Sequence, residues 1–160
     1  MIDSGLVELP EFTFSFHKGA KWMHKALEQH RGGAFEFPNH SYNFLGCLKY
    51  FCSSLILVLF LAFGLFFSYW PLIALSIPAF YIVEVQLIFL FPVAIDGSKR
   101  PLQDAWKLRR KSTSLIEILP ITMLIAAHML SAVFMPQKAI YRWCTGCLAI
   151  LLIYEGTRNG

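Results

Sequence analysis

The sequence predicts an all-α, polytopic membrane protein with four transmembrane helices and with cytoplasmic amphipathic helices at the membrane interface. Hydrophobic residues make up 56% of its 160 residues, a share above that of ordinary soluble domains. From Tyr50 to Ile95 the only formally charged residue is Glu84. One helix over this run would be about twice as long as the hydrocarbon layer is thick. We therefore expect the run to cross the membrane twice.

The basic residues support the same class. The chain has a net charge of +4, and its lysines and arginines flank the apolar runs instead of forming one unbroken patch. This pattern favours lipid headgroups over nucleic acid as the partner.

Residues 1–43 are predicted to form a cytoplasmic, interfacial segment with one amphipathic helix. Ser15 is a typical N-cap, and Gly32 with Gly33 would end the helix. Apolar residues lie on one helical face and lysines on another, which indicates a helix that lies in the membrane interface or packs on a partner subunit. The predicted headgroup contacts are Lys18, Lys21, Trp22 and Lys25. Residues 12–16 alternate apolar and polar, like a very short strand.

Residues 44–155 are predicted to form a four-helix transmembrane domain. Its first crossing runs from Phe44 to Phe67 and its second from Pro71 to Pro92, with a tight turn between them. Pro71 suits the first turn of a helix, and Pro78 is expected to kink the helix interior.

A basic cytoplasmic loop, residues 96–114, follows the second crossing. It contains a predicted short interfacial helix from Pro101 to Leu108. The predicted headgroup contacts in this loop are Trp106, Arg109 and Arg110. The third crossing is expected at Leu115–Phe134, and the fourth at Ile140–Tyr154, which is short for a full span. Residues 156–160 form a C-terminal tail.

The distribution of lysine and arginine predicts the orientation. In a four-crossing arrangement only Lys138 and Arg142 fall on one side of the membrane, and the other basic residues share the opposite side. Because loops rich in lysine and arginine stay in the cytoplasm, both termini are predicted to be cytoplasmic. The expected location is a bacterial inner membrane.

Two polar residues within the second crossing are candidate functional residues. A carboxylate at the depth of Glu84 costs about 2.5–3.5 kcal/mol if it faces lipid, so its side chain should face protein or water. Glu84 could bind a proton or cation, or it could be a hydrogen-bonded carboxyl that fixes helix packing. Gln86 falls on nearly the opposite helical face and could contact another subunit.

Glu117 and His128 are a second candidate pair, on the third crossing. They are eleven residues apart and so return to the same helical face. The stripe could carry protons, or the two side chains could be ordinary hydrogen-bonded packing groups.

Cys144 and Cys147 form a Trp-Cys-Thr-Gly-Cys motif at the predicted outer end of the fourth crossing. Cysteines three positions apart share one helical face, and the outer side of a bacterial inner membrane permits disulfide chemistry. The motif resembles the thioredoxin-type redox motif and the CxxC of the four-helix, quinone-linked membrane thiol oxidases. That resemblance implies a redox pair. Such oxidases commonly need a second, outward-facing pair, whereas Cys47 and Cys52 are predicted on the opposite side.

No catalytic set is recognisable in the sequence. The four N-terminal histidines lack the spacing of a metal site, so no metal is predicted, and no motif assigns a cofactor. We therefore expect a small integral membrane subunit that scaffolds or stabilises a larger complex without its own catalysis. Its partners would be the lipid bilayer and other membrane subunits or a second copy. The alternatives are a thiol–disulfide oxidoreductase that uses Cys144 and Cys147, and a proton or cation transport component that uses Glu84.

Overall fold

The chain is all-helical over the residues that the structure describes. The computed structural model describes residues 15–112, 114–134 and 138–159, and no strand occurs among them. The elements in chain order are α1 (Phe16–Arg31), α2 (Tyr42–Phe66), α3 (Trp70–Gln86), α4 (Leu90–Ile95), α5 (Pro101–Lys111), α6 (Leu115–Leu130), a 3₁₀ turn (Ser131–Phe134) and α7 (Ala139–Asn159). The predicted strand-like run falls largely outside the described residues, and Phe16, its last residue, begins α1.

Two stretches are long and apolar enough to cross a membrane. They are α2, with 25 residues and a mean hydropathy of 2.1, and the 26 residues from Trp70 to Ile95, with a mean hydropathy of 2.0. A third span results only if α5 and α6, bent by 117° relative to each other, count as one. The predicted fourth crossing belongs to α7, which is not among these candidates. Each of the two long stretches exceeds the roughly 30 Å hydrocarbon thickness.

Helices α2 and α3 form a tightly packed hairpin, as the turn signal predicts. Ser68 adopts a left-handed conformation with φ of 52°, and the Tyr69 amide donates to the Gly64 carbonyl at 2.8 Å. A Cβ atom at Gly64 would lie 2.6 Å from Cγ1 of Ile73. Glycine at this position therefore permits the close approach of the two helices.

The second long stretch is interrupted between α3 and α4, not at Pro78. Pro78 lies inside α3, and the helix ends at Gln86 instead. Pro92 has no amide hydrogen to donate to the carbonyl of Ile88, and its ring crowds that carbonyl. The backbone responds with a tighter turn, in which Ile88 donates to Val85 at 3.3 Å.

Helix α6 packs against α7. In addition, α6 packs on α3 of the hairpin, and α7 packs on α1. A Cβ atom at Gly146 would lie 2.4 Å from Cγ of Met129, so the two helices are in close contact here. Helix α7 continues to Asn159, beyond the predicted end of the fourth crossing. The residues at 135–137, which connect the two helices, lie outside the described part of the chain.

Helix α1 has the predicted limits and faces, but its apolar face packs within the chain. Its end is set by Gly32, which has φ of 70°. Ala20, Met23 and Leu27 are buried where α1 meets α2, α4 and α7. Helical periodicity indicates that one face is buried but does not identify the surface that covers it. Here the covering surface is the chain's own bundle.

Candidate functional site

The α2–α3 hairpin places a lysine beside the intramembrane glutamate. Lys49 Nζ lies 3.0 Å from Glu84 Oε2, and the Ser53 hydroxyl donates to Glu84 Oε1 at 2.7 Å. The side chains of Lys49 and Glu84 are only 10% and 11% exposed. Both carboxylate oxygens therefore have a partner on the neighbouring helix.

This geometry fits a polar clamp between α2 and α3. An unpaired charge inside a membrane protein is costly, and an opposite charge with hydrogen bonds offsets much of that cost. Lys49 and Ser53 lie one helical turn apart, so one face of α2 presents both groups to the same carboxylate. The clamp fixes which residues of α2 and α3 lie side by side.

The other predicted intramembrane polar residues do not join this clamp. Gln86 is half-buried, whereas Glu117 and His128 have exposed side chains on α6. The structure therefore places Glu84 in the interior and the predicted Glu117–His128 stripe on an outward-facing surface. The four residues do not form one polar path.

An apolar cavity of about 590 Å³ lies beside the clamp. Residues of α1, α2, α4, α6 and α7 line it, together with Ile88 before α4. The principal side chains of its wall are Phe16, Met23, Lys49, Phe91, Met129 and Trp143. Its size falls within the roughly 300–1,000 Å³ range of small-molecule sites.

The predicted redox cysteines are both buried. Cys144 and Cys147 are free thiols, and Cys147 contributes to the cavity wall. Thiol–disulfide exchange requires a thiolate that a second sulfur can reach. In this structure the two sulfurs occupy the protein interior, the usual environment of a cysteine that acts as a small apolar residue.

A second charged cluster joins the ends of three helices. At the end of α1, Arg31 binds Asp96 with an N–O distance of 2.5 Å and Glu155 of α7 with another of 2.5 Å. The Tyr154 hydroxyl also donates to Asp96, at 2.5 Å, and Arg158 lies 2.5 Å from the same carboxylate. This charge cluster ties α1, the residue after α4, and α7 together.

The charge cluster favours the ionised forms of Asp96 and Arg31. Burial alone would raise the pKa of Asp96, but hydrogen bonds from Arg31 and Tyr154 and the nearby positive charges lower it overall. Hydrogen bonds to Asp96 and Glu155 raise the pKa of Arg31, although burial opposes them. Both groups lie outside the two long apolar stretches.

The predicted headgroup contacts occupy different environments. Lys18, Lys21, Lys25 and Arg110 are exposed, and Trp22 is half-buried. The Arg110 guanidinium lies 4.6 Å from the centre of the exposed Trp106 ring. Arg109 differs from the prediction, since it is only 4% exposed and faces the protein. It lies one turn beyond the buried Ala105 and shares its face.

Lys49 contributes to the sequence prediction only as one of the basic residues that set the orientation, and Ser53 does not contribute to it. A signal was present, because Ser53 and Glu84 are nearly equally far along the chain from Ser68 at the hairpin turn. Folding the sequence at that residue would place them side by side. Within the described residues no three His, Cys, Asp or Glu side chains converge as metal ligands.

Comparisons with protein-family models, with curated proteins and with solved structures gave no match.

Proposed function

We propose that this chain is a small, non-catalytic subunit of a larger membrane protein complex, with four crossings and both termini in the cytoplasm of a bacterium. The internal charged groups serve to hold the helices together. The outward-facing apolar surfaces serve to bind neighbouring membrane subunits.

The observation that carries the proposal is the arrangement of Lys49 and Glu84. Each neutralises the other between two helices, so the pair has the geometry of a packing element. A proton or cation carrier at Glu84 would need its carboxylate to exchange this partner. A thiol oxidoreductase would need access to the sulfurs of Cys144 and Cys147, both of which are buried.

Exposed apolar side chains support assembly as well as membrane insertion. Phe66 and Ile116 are each 82% exposed, and large apolar side chains remain exposed along α2, α3 and α6. Soluble monomers rarely expose continuous apolar surfaces of this extent. Lipid can cover these faces, and so can the helices of another subunit.

Purification from native membranes in a mild detergent tests the proposal. We expect other membrane chains to copurify with the tagged protein in fixed stoichiometry and to separate from it in a harsher detergent. If a second copy of this chain is the only partner that copurifies, the protein forms a homo-oligomer and is not a subunit of a mixed complex. A monodisperse single chain in the mild detergent would overturn the proposal.

A further inference from the structure

We propose that the cavity beside the clamp binds one acyl chain of an anionic phospholipid, whose headgroup lies next to Lys18. The site would make the chain a lipid-binding protein, which the proposed scaffolding role does not require.

The cavity wall is built from tightly seated side chains. A Cβ atom at Gly46 would lie 2.4 Å from the Phe16 ring, and one at Gly19 would lie 2.5 Å from the Trp143 ring. Two of the aromatic side chains that line the cavity thus rest directly on glycines of neighbouring helices. The helices already meet at these two points as closely as glycine allows. The cavity therefore does not result from loose packing between the helices.

The lining fits a hydrocarbon chain. Apolar side chains from α1, α4, α6 and α7 make up most of the wall, including Met23, Phe91 and Met129. The methionines add flexible, polarizable surface that adapts to an irregular chain. Lys49 also contributes to the wall, but its ammonium group already pairs with Glu84, so the interior offers no strong site for a second charge.

The cavity reaches the surface near Lys18 of α1 and Cys47 of α2, and a lipid would enter there. Cys47 and Tyr50 of α2 line the cavity and are exposed, as is Lys18 of α1. On either side of Cys47, α2 carries the exposed apolar side chains of Phe44 and Phe51, which suits entry from a bilayer better than entry from water.

Charge at the opening selects an anionic head. Lys18, Lys21 and Lys25 are exposed on α1, and the stretch from Phe16 to Leu27 contains no acidic residue. A phosphate group beside the opening would meet this basic face while its chain enters the cavity. A zwitterionic lipid with the same chains gains less from these lysines.

Fluorescence quenching by a brominated lipid tests the site. The full-length chain carrying Trp22→Phe, Trp70→Phe and Trp106→Phe keeps Trp143 in the cavity wall. In detergent micelles, added phosphatidylglycerol with brominated acyl chains should quench Trp143 and saturate near one lipid per chain. Phosphatidylcholine with the same brominated chains should bind several-fold more weakly.

Matched variants separate the cavity from the rest of the surface. Ala20→Leu fills the lining and should weaken quenching at least tenfold, whereas Ala62→Leu, the same change at an exposed position of α2, should leave it unchanged. Lys18→Gln should weaken phosphatidylglycerol binding about fivefold, the contribution of one lysine near an anionic surface. Lys107→Gln, at an exposed position of α5 outside the cavity lining, should change it less than twofold.

Three results would overturn the proposal. Quenching that rises without saturation would mean that no site exists. Equal binding of the two lipids would remove the anionic headgroup from the proposal, even if the acyl chain binds in the cavity. Equal effects of Ala20→Leu and Ala62→Leu would place the lipid elsewhere. The Lys18→Gln arm remains informative if Ala20→Leu fails to fold, because Lys18 is an exposed residue.

Discussion

Lys49 and Glu84 are charged residues in stretches that are otherwise almost free of charge, and each is tolerated there because of the other. Their Nζ–Oε2 distance is 3.0 Å, and the second oxygen of the carboxylate accepts the Ser53 hydroxyl. Removing one partner would leave a charge without compensation in the interior. Removing both would leave an uncharged contact.

We expect Lys49→Met and Glu84→Gln each to destabilise the chain by about 3–5 kcal/mol, the usual cost of leaving one buried charge unpaired. The double variant should lose less than either single variant, because no unpaired charge remains. Thermal unfolding in detergent micelles measures all three.

Lys107→Met is the control, since Lys107 pairs with Asp104 in an exposed position and should contribute only about 0–1 kcal/mol. Single variants that unfold like the wild type would show that the clamp has no structural role.

Glycine contacts are a second feature of the residue scale. Gly46→Ala would place a methyl group 2.4 Å from the Phe16 ring, so we expect a loss of about 1–3 kcal/mol from overpacking. Gly156→Ala is the matched control, because no atom lies within 4 Å of its Cβ position and alanine favours the helix by up to about 1 kcal/mol. The comparison uses thermal unfolding, and a stable Gly46→Ala variant would contradict the close packing of α1 on α2.

At the scale of elements, the junction of α1 with the ends of α4 and α7 depends on charge. Asp96 accepts bonds from Arg31 and Tyr154, and these bonds hold its pKa below the ordinary value of about 3.9 although burial opposes them. A group with a lowered pKa stabilises the folded chain above its unfolded pKa. That stabilisation disappears as the pH falls through the lowered pKa.

We therefore expect the stability difference between the wild type and Asp96→Asn to be largest near neutral pH. It should shrink as the pH falls below about 4, because the carboxyl then takes up a proton on unfolding, which favours the unfolded wild type and has no counterpart in Asn. Melting temperatures from neutral pH to about pH 3 measure the difference. Glu36→Gln, at an exposed carboxylate, should follow the wild type throughout, and a difference that stays constant with pH would contradict the role of Asp96.

The helices themselves were largely predictable, because their signals are local. Ser15 and Gly32 bracket α1, and the turn around Ser68 separates α2 from α3. The break between α3 and α4 was not predicted, since a proline such as Pro92 does not by itself show which carbonyl the surrounding packing can leave unpaired. The distribution of polar residues predicted that α1 has an apolar face and a basic face. It did not predict that other helices of the same chain cover the apolar face.

The sites were less predictable, because they join residues far apart in the sequence. Arg31 lies 65 residues from Asp96 and 124 residues from Glu155, and no local pattern links them. Lys49 and Glu84 could be matched only by folding the hairpin at its turn. The cavity depends on five helices at once, so its lining is a property of the packing and not of any motif.

At the scale of the whole molecule, the charge cluster and the hairpin turn lie at opposite ends of the long apolar helices. The charge cluster of Arg31, Asp96 and Glu155 gathers the ends of α1, α4 and α7 at one end of the molecule, while the hairpin turn between α2 and α3 lies at the far end of two long apolar helices. A bilayer placed across those helices separates the cluster from the turn. Glu155, near the C-terminal end of α7, binds Arg31 together with Asp96, so that end of α7 lies beside Asp96. The four crossings that we propose require the same.

Labelling of single cysteines in membrane vesicles tests this topology, in a chain whose four native cysteines have been replaced. With a thiol reagent that does not cross membranes, Lys99→Cys and Gly156→Cys should react from the cytoplasmic side, because basic residues concentrate there. Tyr69→Cys at the hairpin turn and Lys138→Cys before α7 should react from the opposite side. All four positions are exposed, so a failure to react from one side reports the membrane and not burial. Reaction of Gly156→Cys from the same side as Tyr69→Cys would mean an odd number of crossings, and the four-crossing arrangement would then be wrong.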